Sequence, residues 1–270
     1  MRALEQEHAA RRHHGLDVEL LSKARVREDY GFDAPAALLS TRAARVDPSR
    51  LTHRLLQRLQ KQGAAVFDRT CIADITTTSR GVTLRTDTGF NVRAAHLVVA
   101  AGYASQHWIK QRVARNRSSY AVISDPLPQD QLGFLADTLL WEPARPYLYA
   151  RSTSDSRLLL GGEDDAVDIP AKRDARVGKK ARTLLKRLHD LFPDLAVTPA
   201  FSWAGTFAET EDGLPFFGPH PQWGPRVHFA MAYGGNGITY SMLGAGLLRA
   251  LIERRRHPLW PLFSFRRMER

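Results

Sequence analysis

The residues best placed to do chemistry lie between positions 227 and 254. An apolar run over 227–232 leads into Tyr233-Gly234-Gly235-Asn236-Gly237, then Ile238 and Thr239, then a stretch of helical composition reaching about 254. A strand, a glycine-rich turn and a helix in this order leave the first helical amides unpaired at the positive end of the helix dipole. That arrangement suits an anionic or carbonyl-bearing ligand. Glycines without a Cβ let such a ligand come close to the backbone. The same glycines also make a tight turn and close helix–strand packing, and taken alone the turn favours that plainer use.

Other reactive groupings are sparse. The sequence holds no G-x-G-x-x-G, no phosphate loop ending in Gly-Lys-Ser/Thr and no G-x-S-x-G. His8, His13 and His14 fall in a charged stretch and read as solvent-exposed rather than as metal ligands. Glu163-Asp164-Asp165, after Gly161-Gly162, offers carboxylates for a metal but reads better as a solvated loop. The single cysteine, Cys71, excludes an internal disulfide and an all-cysteine metal cluster. It has no adjacent His or Lys, which favours a structural role, and it fits a reducing compartment.

Elements must hold these residues in place. Asp47-Pro48 makes a cap and first helical position, and Leu51, Leu55, Leu56 and Leu59 follow at helical spacing until Gly63. The spacing predicts an amphipathic helix with a buried leucine face. The period then drops to two over 64–67, 71–77, 82–86 and 90–93, with turns at Ser79-Arg80-Gly81 and Asp87-Thr88-Gly89, a β-meander. Residues 97–101 are apolar throughout, the pattern of a central strand covered on both faces. Strands are predicted at 120–124, 147–151, 157–160 and 201–207, and a helix over 171–192. Residues 1–40 read as a helical segment, and 256–270 as a basic tail.

Of 270 residues 43% are hydrophobic and 25% charged, a soluble globular composition. The net charge is +11, and only seven of the 39 basic residues are lysine. The arginines are scattered rather than gathered on one face with interleaved aromatics, so they read as a solvated surface and not as a nucleic-acid track. The first 16 residues lack the apolar core of a signal peptide. The most apolar stretch, 238–252, is shorter than the roughly 20 residues of a membrane span. Together these readings place the protein in the cytoplasm.

Four further stretches occur in order. They are Val98-Val99-Ala100-Ala101-Gly102 after the meander, Trp203-Ala204-Gly205, Asp212-Gly213-Leu214-Pro215-Phe216-Phe217-Gly218, and Gly234-Gly235-Asn236-Gly237-Ile238-Thr239. In this order they resemble the D-amino-acid oxidase/glycine oxidase family of FAD-dependent oxidoreductases, over about residues 40–255. The resemblance implies an α/β fold: part of an FAD-binding sheet with its meander (41–105 and 206–255) and an antiparallel substrate-domain sheet flanked by helices (106–205).

It also implies contacts to FAD from Ile72 at the adenine, Ala101 and Gly102 beneath the dinucleotide, and Tyr233, Gly234, Gly235, Asn236, Gly237, Ile238 and Thr239 at the flavin. No protein acid or base is expected to be catalytic, because the cofactor takes a hydride at N5 from a C–N carbon. Two arginines that grip the substrate carboxylate in the family correspond here to Phe207 and Gly235. The implied substrate is therefore an amine or N-substituted amino acid rather than a plain α-amino acid. The family's N-terminal G-x-G-x-x-G segment has no counterpart in this sequence. The implication is weak or absent FAD binding by the chain alone, and a partner chain or self-association. The alternative is a truncated, non-catalytic remnant.

Overall fold

The computed structural model describes residues 2–269. The chain divides into two compact units, Met1–Val46 with Ser118–Gly205, and Asp47–Arg117 with Thr206–Arg270. In chain order the elements begin with α1 (Arg2–His13), β1 (Val18–Ser22), α2 (Lys23–Tyr30), β2 (Ala36–Ser40) and α3 (Pro48–Lys61). The meander is β3 (Ile72–Thr77), β4 (Val82–Thr86) and β5 (Asn91–Ala94), followed by β6 (Leu97–Val99). Next come β7 (Arg115–Pro126), α4 (Gln129–Leu132), β8 (Leu140–Glu142), β9 (Leu148–Ser152), β10 (Arg157–Asp165), α5 (Pro170–Asp174) and α6 (Val177–Leu191). The chain closes with β11 (Pro199–Glu209), β12 (Phe216–Pro219), β13 (Val227–Met231), α7 (Gly237–Ile252) and α8 (Trp260–Phe263). This is a mixed α/β fold. No helix among the described residues is long and apolar enough to cross a membrane.

The first unit is built on a five-stranded sheet in the order β11-β7-β10-β9-β8. Tyr120, Val122, Leu148, Ala150, Leu158 and Leu160 alternate onto one face and pack against Leu184 and Leu188 of α6. Of residues 1–40, expected to be helical, Arg2–His13 and Lys23–Tyr30 are α1 and α2, but the remainder is corrected: β1 and β2 form an antiparallel pair in the register Val18↔Ser40 and Leu20↔Leu38. Their few apolar residues are too sparse for a helical stripe, but Leu21, Val26 and Phe32 close a small core of their own. The carboxylate run is not a solvated loop either. Glu163 lies in β10, is buried, and accepts from Arg187 Nη1 at 2.7 Å, while Lys180 Nζ donates to its carbonyl at 2.6 Å. A carboxylate placed beside two cations holds the irregular end of β10 rather than meeting water, and among the described residues no cluster suited to a metal is found.

The second unit holds the meander and a three-stranded sheet, β12-β13-β6, in which β6 runs parallel to β13 and β12 antiparallel. On one face, Leu247, Leu248 and Phe263 pack against Phe217 and Ala230. On the other, Phe216, Val227, Phe229 and Met231 meet Ile75 and Val82 of the meander, together with Phe265. Residues 256–270 are thus more than a basic tail. Phe263 and Phe265 enter opposite sides of the sheet, and Arg267 bonds Asp212 at 2.7 Å.

Two sequence expectations are corrected here. Asp47 accepts from Arg50 N at 3.0 Å and Pro48 opens α3, but the leucine face is not buried: Leu55 is 50% and Leu59 46% exposed. β6 is not flanked on both sides but forms an edge of its sheet among the described residues, with Val98 exposed.

Candidate functional site

The parallel pairing of β6 with β13 aligns Leu97 with Val227 and Val99 with Phe229. Parallel strands end at the same side, so 100–102 and 232–237 leave the sheet together. Ala101 N donates to the hydroxyl of buried Ser105 at 3.1 Å, which fixes the first of these segments before Gly102 opens a short 3-10 turn. The second begins with Ala232, buried and at φ 63, a left-handed conformation that costs an alanine roughly 1 kcal/mol. Gly234 follows at φ 56, where a glycine bears no such cost. The reversal is held by Gly234 N donating to the Ala208 carbonyl at 2.9 Å, and by Asn236 N donating to the Tyr233 carbonyl at 3.2 Å.

The first intrahelical bond of α7 runs from Tyr240 N to the Asn236 carbonyl at 3.0 Å. Gly235 N and the first three helical amides, of Gly237, Ile238 and Thr239, therefore have no acceptor among the described residues, and Asn236 makes no side-chain cap. A Cβ built at Gly102, Gly235 or Gly237 meets no heavy atom within 4 Å. These residues thus present bare donors and open space at the positive end of a 16-residue helix. Tyr233 faces inward: its ring lies 5.6 Å from that of Phe217, and burial pushes its phenol pKa up, against a hydrogen bond with Ser241. Ile238 and Thr239 are exposed.

The sequence-derived residues are thus partly gathered. Ala101, Gly102 and 233–239 follow two adjacent strand ends. Phe207 lies on β11 next to Ala208, whose carbonyl pins the turn, so Phe207 and Gly235, the two positions that the resemblance matched to arginines, flank one hydrogen bond. Ile72 stands apart, opposite Thr86 in the meander, with its side chain packed on the core of its unit. Sequence reasoning missed Ser105, Ala208 and Ala232. Their roles run through hydrogen bonds and a backbone conformation that only the fold specifies.

It also missed a histidine pair at the other end of the parallel strands. His96 Nδ1 lies 3.2 Å from Nε2 of His228, which is buried. Burial, with His96 nearby, pushes the His228 pKa down to about 4. Burial and the positive charges of Arg226 and Arg254 lower that of His96. Both rings are neutral at pH 7.

The family described as FAD dependent oxidoreductase matches residues 1–251. The glycine oxidase of Geobacillus kaustophilus (strain HTA426) is 32% identical over 201 residues, which cover 72% of this chain and 49% of that protein. The glycine oxidase of Bacillus subtilis (strain 168) is 26% identical over 217 residues, 77% of this chain and 54% of that protein. The chain spans about half the length of these curated relatives. The crystal structure of the Geobacillus kaustophilus glycine oxidase superposes with a TM-score of 0.81 at 25% identity, covering 97% of this chain and 70% of that one. L-proline dehydrogenase from P. horikoshii shares the fold, with a TM-score of 0.84 at 14% identity over 99% of this chain and 73% of that one. By the family match and the Geobacillus relative, this chain belongs to the FAD dependent oxidoreductase family.

Proposed function

We propose that this chain contributes the flavin-facing and substrate-facing parts of an oxidoreductase acting on the C–N bond of an amine or N-substituted amino acid. The observation that carries the reading is the set of free amides at Gly235, Gly237, Ile238 and Thr239, beside the Ala101–Gly102 strand end. Bare donors, a helix dipole and the absence of Cβ atoms fit the polar edge of a flavin, which becomes electron-rich on reduction. When bound, FAD supplies the two-electron acceptor for the oxidation. The chain's own residues position and bind. Ser105 fixes Ala101, the Ala208 carbonyl fixes Gly234, and the α7 amides favour negative charge at the helix start. In this reading the second unit serves the cofactor and the first the substrate.

The relatives are named glycine oxidases, but Phe207 and Gly235 supply no guanidinium here. A small amino acid would then lack two-pronged carboxylate recognition at these positions. The missing pyrophosphate contacts imply that the 270 residues alone bind FAD weakly. A further polypeptide segment, or self-association, would cover β6 and α3. The oxidoreductase reading is preferred to that of a non-catalytic remnant because the amides remain bare and accessible. The test is dye-linked turnover of the FAD-loaded protein completed with a nucleotide-binding segment, comparing N-methylglycine and larger secondary amines with glycine and D-alanine. Turnover of the secondary amines is expected, with glycine and D-alanine negligible. Efficient glycine or D-alanine oxidation overturns the substrate assignment, and no turnover of any amine overturns the activity.

A further inference from the structure

We infer that the open edge of β11 is a contact between two copies of this chain, which pair their Pro199–Gly205 segments antiparallel about a two-fold axis at Trp203. β11 ends the five-stranded sheet, with β7 on one side and no strand on the other among the described residues. A sheet edge offers unpaired backbone donors and acceptors to any strand that reaches it, and proteins normally blunt such edges by making them short or charged. The opposite edge of this sheet follows that rule: β8 has three residues, and its Glu142 is paired with Arg187. β11 runs for 11 residues, and no charged residue occurs from Leu195 to Ala208.

Side chains alternate across a strand. Ala204 packs on the α6 side, so Phe201, Trp203 and Gly205 share the other face. Phe201 is 70% and Trp203 43% exposed, and a Cβ built at Gly205 meets no heavy atom within 4 Å. The edge thus presents two large rings followed by a gap. Antiparallel pairing centred on Trp203 sets Phe201 of each copy against Gly205 of the other, so each ring covers the other copy's gap. It also sets the two Trp203 side chains against each other across the axis. Aromatic pairs and an aromatic placed over a strand glycine are favourable cross-strand contacts.

Charge selects the occupant. The chain carries a net +11, so two copies repel over most of their surface and meet best where charge is absent. The run 195–208 is such a place. An acidic partner would find no cation on this strand, whereas a second copy meets a strand as uncharged as its own. A two-fold contact also uses the complementarity of Phe201 and Gly205 twice. A pairing this short buries less than the roughly 1,200 Å² of total surface at which stable interfaces begin, so the dimer is a weak one, with a Kd on the order of 100 µM. Pro199–Gly205 belongs to the first unit and α3 and the bare amides to the second, so this contact stands apart from the cofactor reading.

The test is sedimentation velocity of the full chain carrying Leu55→Glu and Leu59→Glu, which removes the α3 leucines as another source of association. This parent is expected to show a reversible monomer–dimer equilibrium. Adding Trp203→Lys or Trp203→Glu should weaken the dimer tenfold or more, since the central aromatic is lost and like charges face each other across the axis. Mixed in equal amounts at low salt, these two variants should recover dimer, because the axis then sets an ammonium against a carboxylate. Phe201→Lys, at the more exposed ring, should also weaken the dimer, and it decides the matter alone if the Trp203 variants lose melting temperature. A parent that stays monomeric at millimolar concentration, single variants that dimerise as the parent does, or a mixture no more dimeric than its components overturns the proposal.

Discussion

Each unit has a closed core, but the two leave different surfaces open. In the first, Tyr120, Leu158 and Leu184 are at most 1% exposed, and the one buried carboxylate of its sheet, Glu163, is matched by Arg187 and Lys180. In the second, Met242 on α7 is 70% exposed, Val98 stands open on β6, and the α3 leucines cover nothing. Parallel pairs normally lie in sheets protected on both faces and flanked by further strands. The first unit is closed between its sheet and α6, although Phe201 and Trp141 stand exposed elsewhere on it, whereas the second is open where its backbone donors are free. Bare amides and uncovered apolar surface occur in the same unit, and the function proposed above takes both as surfaces for a cofactor and for further polypeptide.

That contrast can be broken by mutation. Leu184→Ala in the closed unit should lower unfolding free energy by about 2–5 kcal/mol, since it leaves a cavity in a packed core. Leu55→Ala on α3 should change it by less than about 0.5 kcal/mol, because little contact is lost. Urea denaturation of the two variants checks both, and comparable losses would show that the α3 face is packed after all.

A smaller effect should appear with pH. His228 is held near 4 against an ordinary 6.5, so on acidification the unfolded chain takes up the proton first. The contribution is intact above pH 6.5 and is lost as pH falls from there towards 4, up to about 3 kcal/mol. Unfolding in urea at pH 7 and pH 4.5 should show the loss, and His228→Leu should flatten it. An unchanged slope in the variant would assign the acid sensitivity elsewhere. The smallest effect on stability is expected from Leu55→Glu with Leu59→Glu, which should leave the unfolding midpoint nearly unmoved but reduce self-association in sedimentation velocity. Undiminished association would take α3 out of the interface.

Local signals were legible in the sequence. Asp47-Pro48 marked the start of α3, the two glycine turns marked the meander, and the glycines after 232 marked the turn into α7. The fold class and the gathering of Ala101, Gly102 and 233–239 followed from these and from the ordered resemblance. What escaped depends on partners distant in sequence. Glu163 reads as a loop acid until Arg187, 24 residues on, is placed against it. Val18 to Ser22 reads as helix until Ala36–Ser40 pairs with it. Phe263 and Phe265 look like part of a basic tail until a sheet stands between them. The burial of α3 was misjudged for the same reason: an amphipathic pattern states that a face wants cover, not what covers it.

The central claim is that the start of α7 receives the flavin, and amide-resolved NMR of the full chain titrated with FAD tests it most directly. The account predicts weak, fast-exchanging binding that shifts the amides of Gly235, Gly237, Ile238 and Thr239 together with Gly102, and leaves those of the α6-backed sheet in place. If millimolar FAD leaves these amides unmoved, or moves only residues elsewhere, the assignment of the cofactor site is wrong.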